Sequence, residues 1–272
     1  MGNSVGVIAM FKNESHILEE WIKHYINEGV CQFILINNGS TDNFRHILKP
    51  YMNTLKSKIY LYDDNAKQQQ GKLYNKYYYI TCNQKSFKKC AWYIVCDLDE
   101  FIYSKNPKYK TIPEYLKKIP KKIGQIRIPW KMFGSNNYLK QPKSVIKEFT
   151  KRGNNGKKNY ILGKCIFKSD ALISIGIHNH KIKDNYLSVN SNLKNESQWK
   201  DTPGNCFISE DYLFWSQLVC NHYQYQSFEF WKNIKCTRGD AVHSINNRKI
   251  DRWNNIKHLN IINDEELKNK KY

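Results

Sequence analysis

Apolar residues in the first hundred positions follow two alternating rhythms. Short, almost wholly apolar runs at 4–10 (SVGVIAM), 31–36 (CQFILI), 59–62 and 92–96 have the length and the Val, Ile, Tyr and Trp content of strands buried on both faces. Between the first two, Ile17, Leu18, Trp21, Ile22, Tyr25 and Ile26 recur at helical spacing, with Asn13 or Ser15 as the N-cap and Gly29 as the stop. A turn at 37–42 (NNGSTD) ends in a cap for a second helix carrying Phe44, Ile47 and Leu48. Residues near 70–87 form a third helix, rich in tyrosine. Strands alternating with helices at this spacing predict an α/β fold with a mostly parallel sheet and right-handed crossovers. The loops after the strands, at 12–14, 37–42, 63–70 and 97–100, then open on one edge and surround one crevice.

The second half is less regular. Thr111 and Pro113 open a short helix through Leu116 and Ile119, residues 125–130 (QIRIPW) are a strand, and Gly134-Ser135-Asn136-Asn137 is a turn. Residues 150–159 (TKRGNNGKKN) read as an exposed flexible loop, and 161–177 as two strands. The polar stretch 183–205 reads as a surface excursion, and 210–219 as helix or strand with equal ease. Ser227 caps a helix through Phe230, Trp231 and Ile234 that ends near Gly239.

The run at 92–96 ends in Asp97-Leu98-Asp99-Glu100. Carboxylates at the C-terminal end of a buried strand project where open α/β sheets place their ligands. If the chain turns there, Asp97 and Asp99 converge on one hard divalent cation, with positions left for phosphate oxygens. A strand-end Asp that only caps the next turn is the plainer alternative. Neither G-x-G-x-x-G nor G-x-x-x-x-G-K-[ST] occurs, so no phosphate cradle of backbone amides is available.

Composition narrows the class. With 272 residues the chain is long enough for one large α/β domain or two small ones, and its 40% hydrophobic and 14% aromatic content supports a real core, with no linker long enough to separate independent domains. No apolar run approaches the roughly 20 residues of a membrane span, and the first residues lack a secretory pattern. Eight cysteines without a C-x-x-C pair read as free buried thiols in a reducing compartment, which predicts a cytoplasmic protein. The net charge of +20 is compatible with nucleic acid, an anionic membrane surface, a nucleotide diphosphate, or a Lys- and Asn-rich codon bias. Its lysines are scattered, with no arginine-rich stripe, which favours the last two over nucleic acid; peripheral membrane contact through the basic surface stays open.

Several blocks together resemble glycosyltransferase family 92 and its relatives among the family 2-like glycosyltransferases of GT-A type. They are Lys12-Asn13-Glu14 with Glu20-Trp21-Ile22; Asn37 to Asp42; Trp92 through Asp97-Leu98-Asp99-Glu100-Phe101; Trp130 to Ser135; Lys164 within a strand; and Asn221-His222-Tyr223 followed by Ser227, Lys235, Arg238 and Gly239. The resemblance implies a GT-A (Rossmann-like) fold as a single domain over 1–272. In it, 1–103 is the nucleotide-sugar-binding half, 104–245 the acceptor-side half and 246–272 a C-terminal helical tail. It implies transfer of a sugar from a nucleotide-diphosphate donor, UDP-linked, to a hydroxyl of a glycan, lipid-linked or protein-linked acceptor, with inversion.

Asp97 and Asp99 match the D-x-D motif that holds Mn²⁺ or Mg²⁺ on the diphosphate, and His222 matches the late histidine completing the metal site. His178, His180 and His243 compete for that role. Asn13, Glu14, Asn37 and Asn38 fall where base and ribose bind, although an Asx turn capping a helix explains Asn37 to Asp42 as well. Gln70, Lys72, Lys235 and Arg238 are candidates for the diphosphate; the basic pair at the helix end also suits a plain dipole contact. Inversion needs a base for the acceptor proton, for which Glu100, Glu148, Asp211 and Glu229 are candidates, Glu100 also suiting a ligand-supporting role. The competing readings are a non-catalytic relative that binds a glycan or nucleotide sugar, and a basic nucleic-acid-binding protein or nucleotidyltransferase using the aspartates for two-metal chemistry.

Overall fold

The computed structural model describes residues 3–52, 57–154, 163–194, 210–238 and 250–272. The chain opens with β1 (Val5–Phe11), α1 (Ser15–Asn27), β2 (Val30–Asn37), α2 (Phe44–Leu48), β3 (Lys58–Asp63), α3 (Gln70–Cys82) and β4 (Trp92–Val95). These strands pair in parallel, in the order β3-β2-β1-β4. The α/β architecture expected from the apolar rhythm is the one observed.

Strand alternation divides the core between the two sheet faces. Val5, Val7, Ala9 and Phe11 of β1 pack with Ile17, Leu18 and Trp21 of α1, while Ile8 joins Tyr74, Tyr77 and Tyr93 on the α3 side. Gly6 is required by that second face: a Cβ there would lie 2.3 Å from Tyr93 Cε1. Gly29 ends α1 at φ +86°, a conformation that glycine adopts without strain.

After β4 the chain reverses into β5 (Glu100–Ser104), then α4 (Ile112–Leu116), where Thr111 and Glu114 form a capping box. The long β6 (Ile123–Met132), α5 (Val145–Glu148), β7 (Lys151–Arg152) and β8 (Gly163–Lys168) follow. Next come β9 (Leu172–Ser174), β10 (Lys181–Ile182), β11 (Leu187–Asn190), α6 (Glu210–Trp215) and β12 (Leu218–His222). β8 lies antiparallel between β4 and β6, and β12 sits between β6 and β5, completing the order β4-β8-β6-β12-β5. Beyond β12, α7 (Phe228–Phe230), a π-helical turn (Trp231–Lys235) and α8 (Cys236–Arg238) run as one helical segment. Ser227 Oγ caps it, accepting from Phe230 N at 3.1 Å.

Several local expectations are corrected. Neither Asn13 nor Ser15 caps α1 through its side chain; Asp42 reaches across to accept from Ser15 N at 2.8 Å, so Asp42 is not spent on α2. Within 150–159, Arg152 is not exposed but buried, paired bidentately with Glu210 and bound to Asp264, while 155–159 lies outside the described residues. Within 183–205, β11 joins the sheet in parallel beside β6; 195–205 lies outside the described residues. The helix-or-strand ambiguity at 210–219 resolves into both, α6 then β12. Of the expected helical tail at 246–272, only α9 (Asp251–Asn254) and a 3-10 turn (Ile256–Leu259) are helical among the described residues, and 246–249 lies outside them. β13 (Ile262–Asn263) instead pairs with β7, drawn by the Asp264–Arg152 contact. Cys90, Cys96, Cys165 and Cys220 are buried as expected, whereas Cys31, Cys82 and Cys236 are half-buried; Cys206, Gly239 and His243 lie outside the described residues.

Candidate active site

The site begins with the reversal between β4 and β5. Glu100 N donates to Asp97 O at 3.2 Å, and the Glu100 carboxylate accepts from Asp97 N at 2.9 Å, closing the turn from both sides. From α1, Trp21 Nε1 donates to both Asp97 O and Glu100 O at 3.1 Å, and Tyr25 hydroxyl donates to Glu100 O at 3.1 Å. Leu98 is thereby driven into the core, leaving the aspartates on either side of it to face the crevice. Across the antiparallel β5–β12 ladder, His222 pairs with Glu100, and Tyr223 N donates to Asp99 O at 2.8 Å. Sheet topology thus brings a residue some 120 positions away beside the carboxylates.

Buried cations balance this cluster. Lys164 of β8, fully buried, places Nζ 3.1 Å from Asp97 Oδ2, 3.4 Å from Glu100 Oε2 and 3.3 Å from Ile177 O. Lys235, at the end of the π-helical turn, donates to Asp99 Oδ2 and lies 3.8 Å from Glu14 Oε1. Arg238 donates to Glu14 Oε1 at 2.8 Å and to Lys12 O at 2.7 Å.

Burial alone would raise both aspartates. Lys164 outweighs it at Asp97, and Lys235 with His222 outweighs it at Asp99, so both carboxyls fall below their ordinary value. At Glu100 burial prevails over Lys164 and pushes the carboxyl well up; its Oε1 has no hydrogen-bond partner. Glu14, Asp97 and Asp99 are left facing Lys164, Lys235 and Arg238, a near-neutral interior lattice in which every cation has a named anion.

His222 Nε2 stands 3.6 Å from Asp99 Oδ1, too far for a good hydrogen bond. Burial lowers its pKa to about 4 against the pull of Asp99, so at neutral pH the imidazole carries a lone pair. Its Nδ1 is buried without a hydrogen-bond partner, so no far-side contact prevents Nε2 from being the bare nitrogen. The ring lies against Trp130, 4.4 Å between centroids, with His178 on the same indole at 5.3 Å. His178 is tied to Gly163 O at 3.2 Å, and His180 packs on Phe167 in the α3-side core, 4.9 Å between centroids. Of these histidines only His222 pairs with a crevice carboxylate.

The remaining predicted residues fall into three groups. Asn13, Asn37 and Asn38 knit the strand-end loops together. Asn13 Oδ1 accepts from Thr41 N at 2.7 Å, Asn37 bonds Ser40 N at 2.8 Å and Asp63 at 2.7 Å, and Asn38 donates to Asp64 O at 2.6 Å. Gln70 is buried, its amide donating to Asp97 Oδ1 at 2.7 Å and to Tyr74 hydroxyl at 2.6 Å, whereas Lys72 is exposed. The base candidates stand apart: Glu148 accepts from Tyr138 hydroxyl at 2.6 Å, Glu229 accepts from Gln141 N at 2.8 Å, and Asp211 is exposed on α6. Because α6 precedes β12, Asp211 sits at the strand end opposite His222. None of these three is hydrogen-bonded or ion-paired to Asp97, Asp99 or His222.

The supporting role expected as one reading of Glu100 fits its place in the turn, whereas the part of Trp21 and Lys164 in framing it escaped sequence reasoning. A lysine at the second position of an otherwise apolar strand (GKCIF) was the available signal for Lys164.

A divalent cation fits this donor set in part. Among the described residues no three His, Cys, Asp or Glu side chains gather at metal-ligand spacing. Asp99 and His222 nevertheless present an anionic oxygen and a neutral nitrogen across a gap that no direct hydrogen bond closes, while Asp97 is already held by Lys164, Gln70 and Tyr74. Mg²⁺-like ions are commonly held by one or two protein ligands, with phosphate and water completing the shell.

An open α/β sheet with carboxylates and cations gathered at its strand ends is a ligand-handling frame of the nucleotide-binding kind. The chain belongs to glycosyltransferase family 92, whose model matches residues 4–251. Among solved structures it is similar to S. aureus TarS 1–349, at 15% identity and a TM-score of 0.41, covering 90% of this chain and 68% of that one. The same protein in complex with UDP gives 15% identity and a TM-score of 0.38, covering 61% of this chain and 46% of that one. Glucosyl-3-phosphoglycerate synthase from Mycobacterium tuberculosis, in complex with Mn²⁺ and UDP-glucose, gives 12% identity and a TM-score of 0.29, covering 48% and 44%. The chain thus spans under half of the chain in two of these three structures, and with TM-scores this low the grounds for function are the family match and the site geometry. No curated protein matches the sequence. No helix among the described residues is long and apolar enough to cross a membrane.

Proposed function

We propose that this protein transfers a sugar from a nucleotide-diphosphate donor, a UDP-sugar first among those to be tested, to an acceptor hydroxyl with inversion. The observation that carries the reading is the meeting of the Asp97–Glu100 turn with His222, Lys235 and Arg238 at the strand ends, in a chain of glycosyltransferase family 92. Asp99 and His222 would hold Mn²⁺ or Mg²⁺, with Asp97 beside them. The cation would offset charge developing on the departing diphosphate.

This chain's residues do the rest. Lys235 and Arg238 supply positive charge next to the phosphate position, and contacts of this charge-assisted kind contribute about 1.5–3 kcal/mol each. Asn13, Asn37 and Asn38 stiffen the loops that would wall the base and ribose, so their part is to shape the pocket as much as to contact the ligand. The division into a donor half at 1–103 and an acceptor half at 104–245 is part of the proposal, with His222 linking the two. Glu148, Asp211 and Glu229 remain candidates for the base, each requiring acceptor binding to bring it near the crevice.

The test is release of UDP from a panel of UDP-sugars with and without Mn²⁺, comparing wild type with His222→Gln, which removes a cation ligand without stranding a buried charge. Mn²⁺-dependent release in the wild type, lost in a folded His222→Gln protein, supports the proposal. Equal Mn²⁺-dependent release by both proteins defeats the ligand assignment, and no release or binding of any nucleotide sugar defeats the function.

A further inference from the structure

Lys235 occupies an unusual position for a residue of a cation-binding site. Its side chain is 3% exposed, its ammonium is bonded to Asp99 Oδ2, and the other oxygen of that same carboxylate faces His222 Nε2 at 3.6 Å. It closes the π-helical turn Trp231–Lys235, a rare local widening that is frequent at functional sites. Trp231, buried and stacked on Tyr225 with centroids 4.9 Å apart, anchors the start of the turn, and Glu14 stands 3.8 Å from the ammonium as a second anion. A monovalent cation tethered to the chain therefore neutralises the carboxylate that a divalent cation would use.

Resting on the reading of Asp99 and His222 as cation ligands, we propose that Lys235 is an exchangeable internal counter-ion. It holds Asp99 in the donor-free protein, gives way when a divalent cation binds Asp99 and His222, and then turns its ammonium to the donor diphosphate. An ammonium and a divalent cation a few ångströms apart on one carboxylate repel strongly in a site sheltered from water, so cation binding and the Lys235–Asp99 pair oppose each other. The freed ammonium need not leave the crevice, because Glu14 lies beside it and an arriving diphosphate offers new oxygens. The arrangement makes cation and nucleotide binding mutually reinforcing: each relieves the cost the other incurs by displacing Lys235. Lys235 then acts as a positioning residue for the cation and a binding residue for the diphosphate.

The experiment measures Mn²⁺ affinity directly by calorimetry, without nucleotide, for wild type, Lys235→Gln, Lys235→Arg and the exposed control Lys232→Gln. A second titration adds UDP at saturating Mn²⁺. Lys235→Gln should bind Mn²⁺ alone about tenfold or more tightly than wild type, yet bind UDP about tenfold more weakly. Lys235→Arg, which keeps a cation on Asp99 and preserves the fold if the glutamine variant does not, should bind Mn²⁺ no more tightly than wild type. Lys232→Gln should match wild type in both titrations.

In the wild type itself, Mn²⁺ without nucleotide should raise acetylation of Lys235 by an amine-reactive ester several-fold, read by peptide mass spectrometry. Unchanged or weaker Mn²⁺ affinity in Lys235→Gln overturns the exchange while leaving Asp99 and His222 as ligands. If that variant does not fold, unchanged acetylation of Lys235 in the wild type overturns it instead. Absence of Mn²⁺ binding to every protein, with UDP present, overturns the metal site and the exchange together.

Discussion

Trp21→Phe tests whether α1 holds the carboxylate turn. The indole N–H is a single donor shared by Asp97 O and Glu100 O, each at 3.1 Å, inside a fully buried side chain. Phenylalanine removes the donor but strands neither acceptor. Asp97 O keeps Glu100 N at 3.2 Å, and Glu100 O keeps the Tyr25 hydroxyl at 3.1 Å. The hydrogen-bond loss therefore belongs near the ordinary net value, about 1 kcal/mol, and not at the cost of an orphaned buried group. Loss of the five-membered ring removes on the order of 40 Å² of apolar contact, about 1 kcal/mol more, and a partly relaxed cavity adds up to a similar amount.

The expected destabilisation is about 2–3 kcal/mol, measured by urea unfolding at 25 °C, or a fall in Tm of roughly 4–12 °C. Because Tyr25 donates to the same Glu100 carbonyl, Trp21→Phe with Tyr25→Phe should cost more than the two single changes summed, since together they leave Glu100 O without either donor. A single change costing under about 0.5 kcal/mol, or an additive double mutant, would refute the claim that these donors act on one turn.

Asp97→Asn should destabilise by about 2–3 kcal/mol, because fully buried Lys164 would lose its nearest carboxylate and keep beside it only Glu100, whose own carboxyl burial pushes well up; pairing it with Lys164→Met should recover part of the loss, and a neutral single mutant in thermal unfolding would count against the buried pair. His24 is predicted to shape acid stability. Burial lowers its pKa to about 3 from 6.5, so between those values the unfolded chain binds the extra proton and stability falls as pH falls. Relative to pH 8 the loss at pH 5 is about 2 kcal/mol, and His24→Gln should flatten urea midpoints across that range by this amount; an unchanged pH profile would exclude the residue as a source. Gly6→Ala should cost about 1–3 kcal/mol or more, since the new methyl meets the buried Tyr93 ring at 2.3 Å, and a wild-type Tm would show that the ring yields freely.

What was legible along the chain was what local periodicity encodes. Runs such as VGVIAM and CQFILI, each followed by a helix-spaced stripe, lead directly to β1, α1 and β2, and the Asp97–Glu100 block at a strand end leads to the crevice. Pairings between distant strands leave no such local mark. The insertion of β12 between β5 and β6, which brings His222 to Asp99, was not foreseen; His222 itself was named through family resemblance and not through spacing. β11 escaped because Leu187–Asn190 is short and mixed in polarity, so only its partner strand makes it a strand. The cap of α1 escaped for a similar reason, its acceptor coming from Asp42 in the next loop. Charge misled at Arg152, which fell in a stretch read as an exposed loop yet is buried against Glu210 and Asp264, and no sequence signal gave the carboxylate partners of Lys164 and Lys235, which come from elsewhere in the chain.

The central claim, that the crevice binds a divalent cation together with a nucleotide diphosphate, is tested most directly by locating the ion. Crystals grown with UDP and Mn²⁺ should show an anomalous manganese peak bonded to Asp99 Oδ1 and His222 Nε2, with diphosphate oxygens on its other side and the Lys235 ammonium moved from Asp99 toward the phosphates. UDP bound with no manganese at these residues, or manganese held elsewhere while Lys235 stays on Asp99, would contradict the account.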